Sequence, residues 1–130
     1  MDSIQEADLA HFIQFRTIPD HRGNLTVIEK EIPFEIKRIY YIYGVPTDSV
    51  RGEHRHFKTV HALICLKGSL EIYANNGKTE ENFVLDRPDR GLIVPPEDWH
   101  SMYNWSKDAF LLVLASEYYD PAEYIAEAYP

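Results

Sequence analysis

The chain has 130 residues, 45% apolar and 26% charged, a size and balance that fit one domain over residues 1–130 and exclude a second. Thirteen Lys and Arg stand against 21 Asp and Glu, so the net charge of -8 removes any general electrostatic reason to bind a nucleic-acid polymer. The longest apolar run, Ala109 to Ala115, is far shorter than the roughly 20 residues of a bilayer span, and the first residues lack a basic region followed by an apolar one, so neither a membrane segment nor a secretory signal is expected.

In chain order, Ile4 to Phe12 has helical potential. Short β-type runs then recur at close spacing: Leu25 to Glu29, Lys37 to Tyr43, Val60 to Leu66, Leu70 to Ala74, Asn82 to Leu85, Leu92 to Val94, Ser101 to Trp105 and Phe110 to Ala115. That rhythm predicts an all-β sandwich or barrel. Lys67-Gly68-Ser69 and Asn75-Asn76-Gly77-Lys78 separate such runs, and Asn-Gly supplies the positive φ angles of tight turns, so two successive hairpins are expected. A short C-terminal helix is expected from Pro121 to Ala128, capped by Asp120. Edge strands in so small a sheet protein need covering, which favours a homodimer. The single cysteine, Cys65 in ALICL, reads as a reduced, buried thiol of a cytoplasmic protein. Nine Tyr, six Phe and two Trp are an excess for such a chain; those in strand runs are candidates to line a cavity, whereas Tyr118, Tyr119, Tyr124 and Tyr129 read as packing or dimer residues of the tail.

Four of the six histidines form a pattern: His54 and His56 in RGEHRHFK, His61 in TVHAL, and His100 in PPEDWHSMYN. On an extended strand His54 and His56 project to one side while Glu53, Arg55 and Phe57 project to the other. The order His54, His56, His61, Gly68, followed by Pro95, His100 and Asn104, resembles the two motifs of the cupin superfamily, with His61 at a position usually held by Glu and Glu97 at a glycine position. Within that superfamily the chain is similar to the sugar-nucleotide 3,4-ketoisomerases that act on thymidine diphosphate 4-keto-6-deoxyglucose. The resembling stretches are DHRGNLTVIE (20 to 29), IPFEIKRIYYIYGV (32 to 45), RGEHRH (51 to 56), ALICLKGSLEIY (62 to 73), LDRPDRGLIVPPEDWHSMYNWS (85 to 106) and LLVLASEYYDPAEYI (111 to 125). Arg55 departs from the Ala common in that branch, and His61 from Gln.

The resemblance implies a cupin-type jelly roll and a cofactor-free isomerase of deoxysugar biosynthesis that moves a carbonyl from C4 to C3 of the sugar through an enediol or enediolate. Histidine suits such proton transfers because its ordinary pKa of about 6.5 lets it accept and donate near neutrality. His56 is expected to act at carbon and His54 between the two oxygens. Arg51, Tyr40, Tyr43, His100 and Tyr103 are candidate donors to the oxyanion, and Arg22 and Arg51 candidate partners of the diphosphate. Arg22 and Tyr103 are also candidates to select the face of proton return. Three other readings remain open: a metal-dependent cupin enzyme holding its ion on His54, His56, His61 and His100, a sugar-nucleotide 3,5-epimerase, and a non-catalytic sugar-nucleotide binding module.

Overall fold

The computed structural model describes residues 9–130. Its strands are β1 (His11–Gln14), β2 (Arg16–Asp20), β3 (Gly23–Val27), β4 (Arg38–Tyr43), β5 (Arg51–His56), β6 (His61–Lys67), β7 (Leu70–Asn75), β8 (Glu80–Leu85), β9 (Arg90–Val94), β10 (Trp99–Tyr103), β11 (Phe110–Ala115) and β12 (Tyr124–Ile125). One five-stranded sheet runs β1-β9-β6-β11-β4, a second runs β12-β5-β10-β7-β8, and β2 and β3 form a separate ribbon. Leu63, Cys65, Leu92, Val94, Leu111 and Val113 of the first sheet pack with Leu70, Ile72, Ala74, Phe83, Leu85 and Met102 of the second in one core, so the expected all-β jelly roll is present.

Alternation decides which residues enter that core. In β7 the even-numbered side chains Leu70, Ile72 and Ala74 are fully buried while Glu71 and Tyr73 lie on the other face. Strand β6 breaks the alternation because its sheet is covered on both sides. Leu63 and Cys65 enter the central core, whereas Ala62 and Ile64 pack with Phe15, Ile32, Ile93 and Leu114. A strand buried on two faces is apolar along that stretch, which explains the unbroken run from Ala62 to Cys65, whereas Leu66 is exposed.

The predicted run Phe110 to Ala115 coincides with β11, and the other β-type runs fall on strands with ends shifted by a few residues. Three expectations change. Residues 4–8 of the N-terminal helix lie outside the described residues, and His11 and Phe12 belong to β1, where pairing with Ile93 and Leu92 of β9 overrides local helical preference. The C-terminal helix reduces to one 3-10 turn, Pro121–Glu123; Asp120 caps it as expected, accepting from the Ala122 amide at 3.0 Å, and the chain then extends as β12 because it pairs with β5. Of the two hairpins, Asn75 to Lys78 does connect the paired strands β7 and β8, but β6 and β7 belong to different sheets. Gly68, at φ 73°, carries the chain across the sandwich where an added Cβ would lie 2.9 Å from the Ala109 Cα. Ser69 fixes this crossing, donating its amide to Ser106 Oγ and accepting from the Ser106 amide, both at 2.9 Å.

Candidate active site

Toward one end of the sandwich the inward-facing positions change from apolar to polar. Along β6 the sequence Cys65, Leu63, His61 leads from the core to a cavity of about 210 Å³, and along β10 Met102 is followed by His100. Arg38, Tyr40 and Ile42 of β4, Arg51, Gly52 and His54 of β5, and Tyr124 of β12 complete its wall together with Leu63 and Met102. The cavity thus gathers side chains from both sheets, a placement that no local stretch of sequence contains.

His54 and His56 project together from β5, with ring centroids 4.8 Å apart and planes at 85°. His54 borders the cavity, whereas His56 lies behind it, 5% exposed, with Nε2 buried and unpartnered. His61 packs 4.6 Å from His56, and His100 lies 5.2 Å from His54 and 6.0 Å from His56. Strict alternation would turn Arg51 away from this pair. The residues Gly52 and Glu53, at φ 81° and 62°, form an irregularity in the pairing of β5 with β10, so that Ser101 aligns with Gly52 while His100 aligns with His54. This bulge changes the phase of the strand and brings Arg51 to the cavity beside His54. Gly52 also allows close approach, since a Cβ there would lie 3.1 Å from the His100 carbonyl oxygen.

Burial keeps the imidazoles neutral. It lowers the pKa of His54, holds His56 down to about 3 with help from His54 and His100, and puts His61 well below its ordinary value. His100 is pushed down to about 4 by the same loss of water, and its Nδ1 lies 3.2 Å from the Asp98 carbonyl oxygen. A carbonyl only accepts, so Nδ1 carries the hydrogen and Nε2 is left as an acceptor. In this neutral form the free ring nitrogen of His100 can take a hydrogen bond but not give one, so it is not the oxyanion donor that the sequence led us to expect. Asp98 is fully buried, accepts from the Ala10 amide at 2.8 Å, and is pushed by burial up to about 7.

Tyr40, Arg51, His54, His61 and His100 meet at the cavity. Tyr43, Tyr103 and Arg22 do not join them within this chain. Tyr40 and Tyr43 differ by an odd number of positions, so they occupy opposite faces of β4; Tyr43 is 64% exposed and stacks 5.3 Å from Phe110 on the outer side. The same parity separates Tyr103 from His100 and Met102, and its hydroxyl hydrogen-bonds Asn82 and Glu71. Arg22 sits at the turn of the β2–β3 ribbon, donating to Asp20 at 2.6 Å. Conversely, sequence reasoning missed Arg38 and Tyr124. Arg38, two residues before Tyr40, was accessible through parity; its guanidinium lies 4.3 Å above the Tyr40 ring. Tyr124 carried no local signal, because only the pairing of β12 with β5 brings it to the histidines.

The four histidines were also candidates for a metal centre. Among the described residues no group of three or more His, Cys, Asp or Glu is found in an arrangement that could hold a metal ion.

Comparison with known proteins places this geometry in context. The family model described as FdtA, WxcM-like, C-terminal, matches residues 8–129. A curated protein of Aneurinibacillus thermoaerophilus, TDP-4-oxo-6-deoxy-alpha-D-glucose-3,4-oxoisomerase, is 44% identical over 117 residues, covering 88% of this chain and 84% of the relative. The crystal structure of QdtA, a sugar 3,4-ketoisomerase from Thermoanaerobacterium thermosaccharolyticum in complex with TDP, superposes with a TM-score of 0.87 at 43% identity over 91% of this chain and 88% of that one. The WlaRB TDP-quinovose 3,4-ketoisomerase from Campylobacter jejuni has the same TM-score of 0.87 at 44% identity, covering 91% and 92% of the two chains. With a family match over nearly its whole length and a 44% identical relative named as a 3,4-oxoisomerase, the chain belongs to the FdtA-like sugar-nucleotide 3,4-ketoisomerase family.

Proposed function

We propose that the protein is an isomerase that moves the keto group of thymidine diphosphate 4-keto-6-deoxyglucose from C4 to C3. The observation that carries this reading is the pair of neutral imidazoles, His54 and His56, projecting together from β5, with His54 in the cavity wall and His56 packed directly behind it. The relatives named above, which act on or bind TDP-linked compounds, support the substrate class.

In the mechanism we favour, His56 removes the proton on C3, which the adjacent ketone makes acidic, and the electrons move onto the C4 oxygen. The C3 hydroxyl proton passes to that oxygen through His54. Return of a proton from His56 to C4 leaves the ketone at C3, and no atom is gained or lost. A base held near pKa 3 by burial is weak, but the enediolate that forms beside it is an anion in a region of little water. Its attraction for the new imidazolium opposes the burial that held the pKa down, and Glu123 acts on His56 in the same direction. Arg51 and Arg38 supply positive charge at the wall, for the oxyanion or for the diphosphate, and His100 Nε2 accepts from a sugar hydroxyl.

Incubation of the 4-keto-6-deoxy sugar nucleotide in deuterated water, followed by NMR, tests the reading. Deuterium at C4 with a ketone at C3 is the expected result. Label at C3 and C5 with the ketone retained at C4 would establish an epimerase instead, and tight binding without exchange a binding module.

We further propose that the chain works as a homodimer in the cytoplasm. Ile39, Tyr41 and Tyr43 form an exposed apolar row on the edge strand β4, joined by Phe110, and a second copy of the chain would cover it. The buried single thiol Cys65 suits a reducing compartment. Light scattering on the purified protein should give twice the chain mass; a monomer at micromolar concentration would remove the dimer.

A further inference from the structure

Beyond β11 the chain does not leave the sandwich but is laced along the edge of the histidine strand β5. Glu123 is the first anchor: its carboxylate accepts from the Lys58 and Thr59 amides at 2.9 and 2.8 Å and from the Thr59 hydroxyl at 2.6 Å. Next, β12 pairs with β5, Tyr124 opposite His56 and Ile125 opposite Arg55. Past it, the Ala126 carbonyl accepts from Trp99 Nε1 at 3.0 Å and the Glu127 carbonyl from Arg55 Nε at 3.1 Å. Tyr129 closes the strap, with its ring 4.4 Å from the Arg55 guanidinium and its hydroxyl donating to the Glu97 carbonyl at 2.7 Å. Anchors therefore stand on both sides of Tyr124, whose ring is the part of the strap that reaches the cavity.

That ring lies 4.7 Å from His54 at 72° and 4.8 Å from His56 at 64°, a T-shaped contact with each. Aromatic rings favour such edge-to-face arrangements, which fix the relative orientation of the rings. During isomerisation the imidazoles of this pair become cationic in turn. We propose that Tyr124, carried by the C-terminal strap, is a positioning residue of the isomerisation: its aromatic ring holds His54 and His56 in their mutual orientation while the positive charge comes and goes. This rests on the reading of His54 and His56 as the proton-transfer pair.

The test compares Tyr124→Leu, which keeps an apolar side chain but no ring, with Tyr124→Phe, which restores the ring. Turnover, KM, calorimetric binding of TDP and melting temperature are measured for both, with His56→Asn alongside. The expected result is a fall in kcat of tenfold or more for Tyr124→Leu, with KM and TDP affinity changed by less than about threefold, and recovery of most of the lost kcat in Tyr124→Phe. Equal kcat in Tyr124→Leu and the parent would overturn the inference. So would equal loss in Tyr124→Leu and Tyr124→Phe, which would put the role on the hydroxyl, or losses that track melting temperature alone. If His56→Asn retains full turnover, the reading of the histidine pair itself has failed; if His56→Asn is inactive while Tyr124→Leu is not, only the role of Tyr124 has failed.

Discussion

The two ends of the same strands do different work. On β6, Leu63 and Cys65 face the interlayer core and His61 faces the cavity; on β10, Met102 and His100 divide in the same way. Both ends are removed from water, but the apolar end gains from it and the histidine end bears a cost. Burying apolar surface contributes about 25 cal/mol per Å², whereas burying imidazoles drives them to the neutral form and leaves His56 Nε2 and His61 Nδ1 without protein partners. The inward direction of a side chain thus says nothing of its purpose. Core and site are separated by polarity along one strand face, and the site is built on the rigidity of the core next to it.

Substitutions at the two ends should therefore fail in different currencies. The largest effect is expected for His56→Asn, with turnover reduced on the order of 10²–10⁴-fold, TDP binding retained and melting temperature little changed. Undiminished turnover in a steady-state assay would take His56 out of the mechanism. At the other end, Leu111→Ala, at a fully buried position, should cost about 2–5 kcal/mol in denaturant unfolding. The folded fraction should keep its kcat; a variant of normal stability but impaired kcat would show that core and site are not separable.

The smallest effect concerns pH and Asp98. Burial raises its folded pKa to about 7, above its ordinary value of 3.8, so its carboxyl must stay protonated in the fold and its contribution is lost as pH rises from about 4 to 7. The histidines oppose this. Their folded pKa values are lowered, to about 3 for His56 and about 4 for His100, so their neutral form favours the fold more as pH rises toward 6.5. Asp98→Asn removes only the falling component. Its melting temperature relative to the parent should improve by about 3 °C or more between pH 4 and 7, and a difference independent of pH would rule out this account of Asp98.

Much of the site was readable because strand parity is a local property. The repeated β-type runs gave the fold class, and the spacing of His54 and His56 was enough to place both rings on one face. Parity also contains the reason that Tyr43 and Tyr103 point away from the cavity: each differs by an odd number of positions from a cavity-lining residue of its own strand. Arg51 shows the limit, since counting alone turns it outward and only the bulge at Gly52 and Glu53 returns it. Gly68 shows another, because a glycine turn looks the same whether the next strand pairs with the last or joins the opposite sheet.

Composition, charge and alternation were sufficient for an acidic all-β fold with a histidine pair, since these depend on residue type and on a period of two. The cavity itself required long-range pairing. Arg38 of β4, His61 of β6, His100 of β10 and Tyr124 of β12 are distant in sequence, and each strand by itself could face them anywhere. The low pKa values have the same origin, because burial belongs to the assembled sheets and not to the histidine side chain. The tail makes the point most directly: local preference offered a helix from Pro121, and the unpaired edge of β5 drew the chain into an extended strap that brings Tyr124 to the imidazoles.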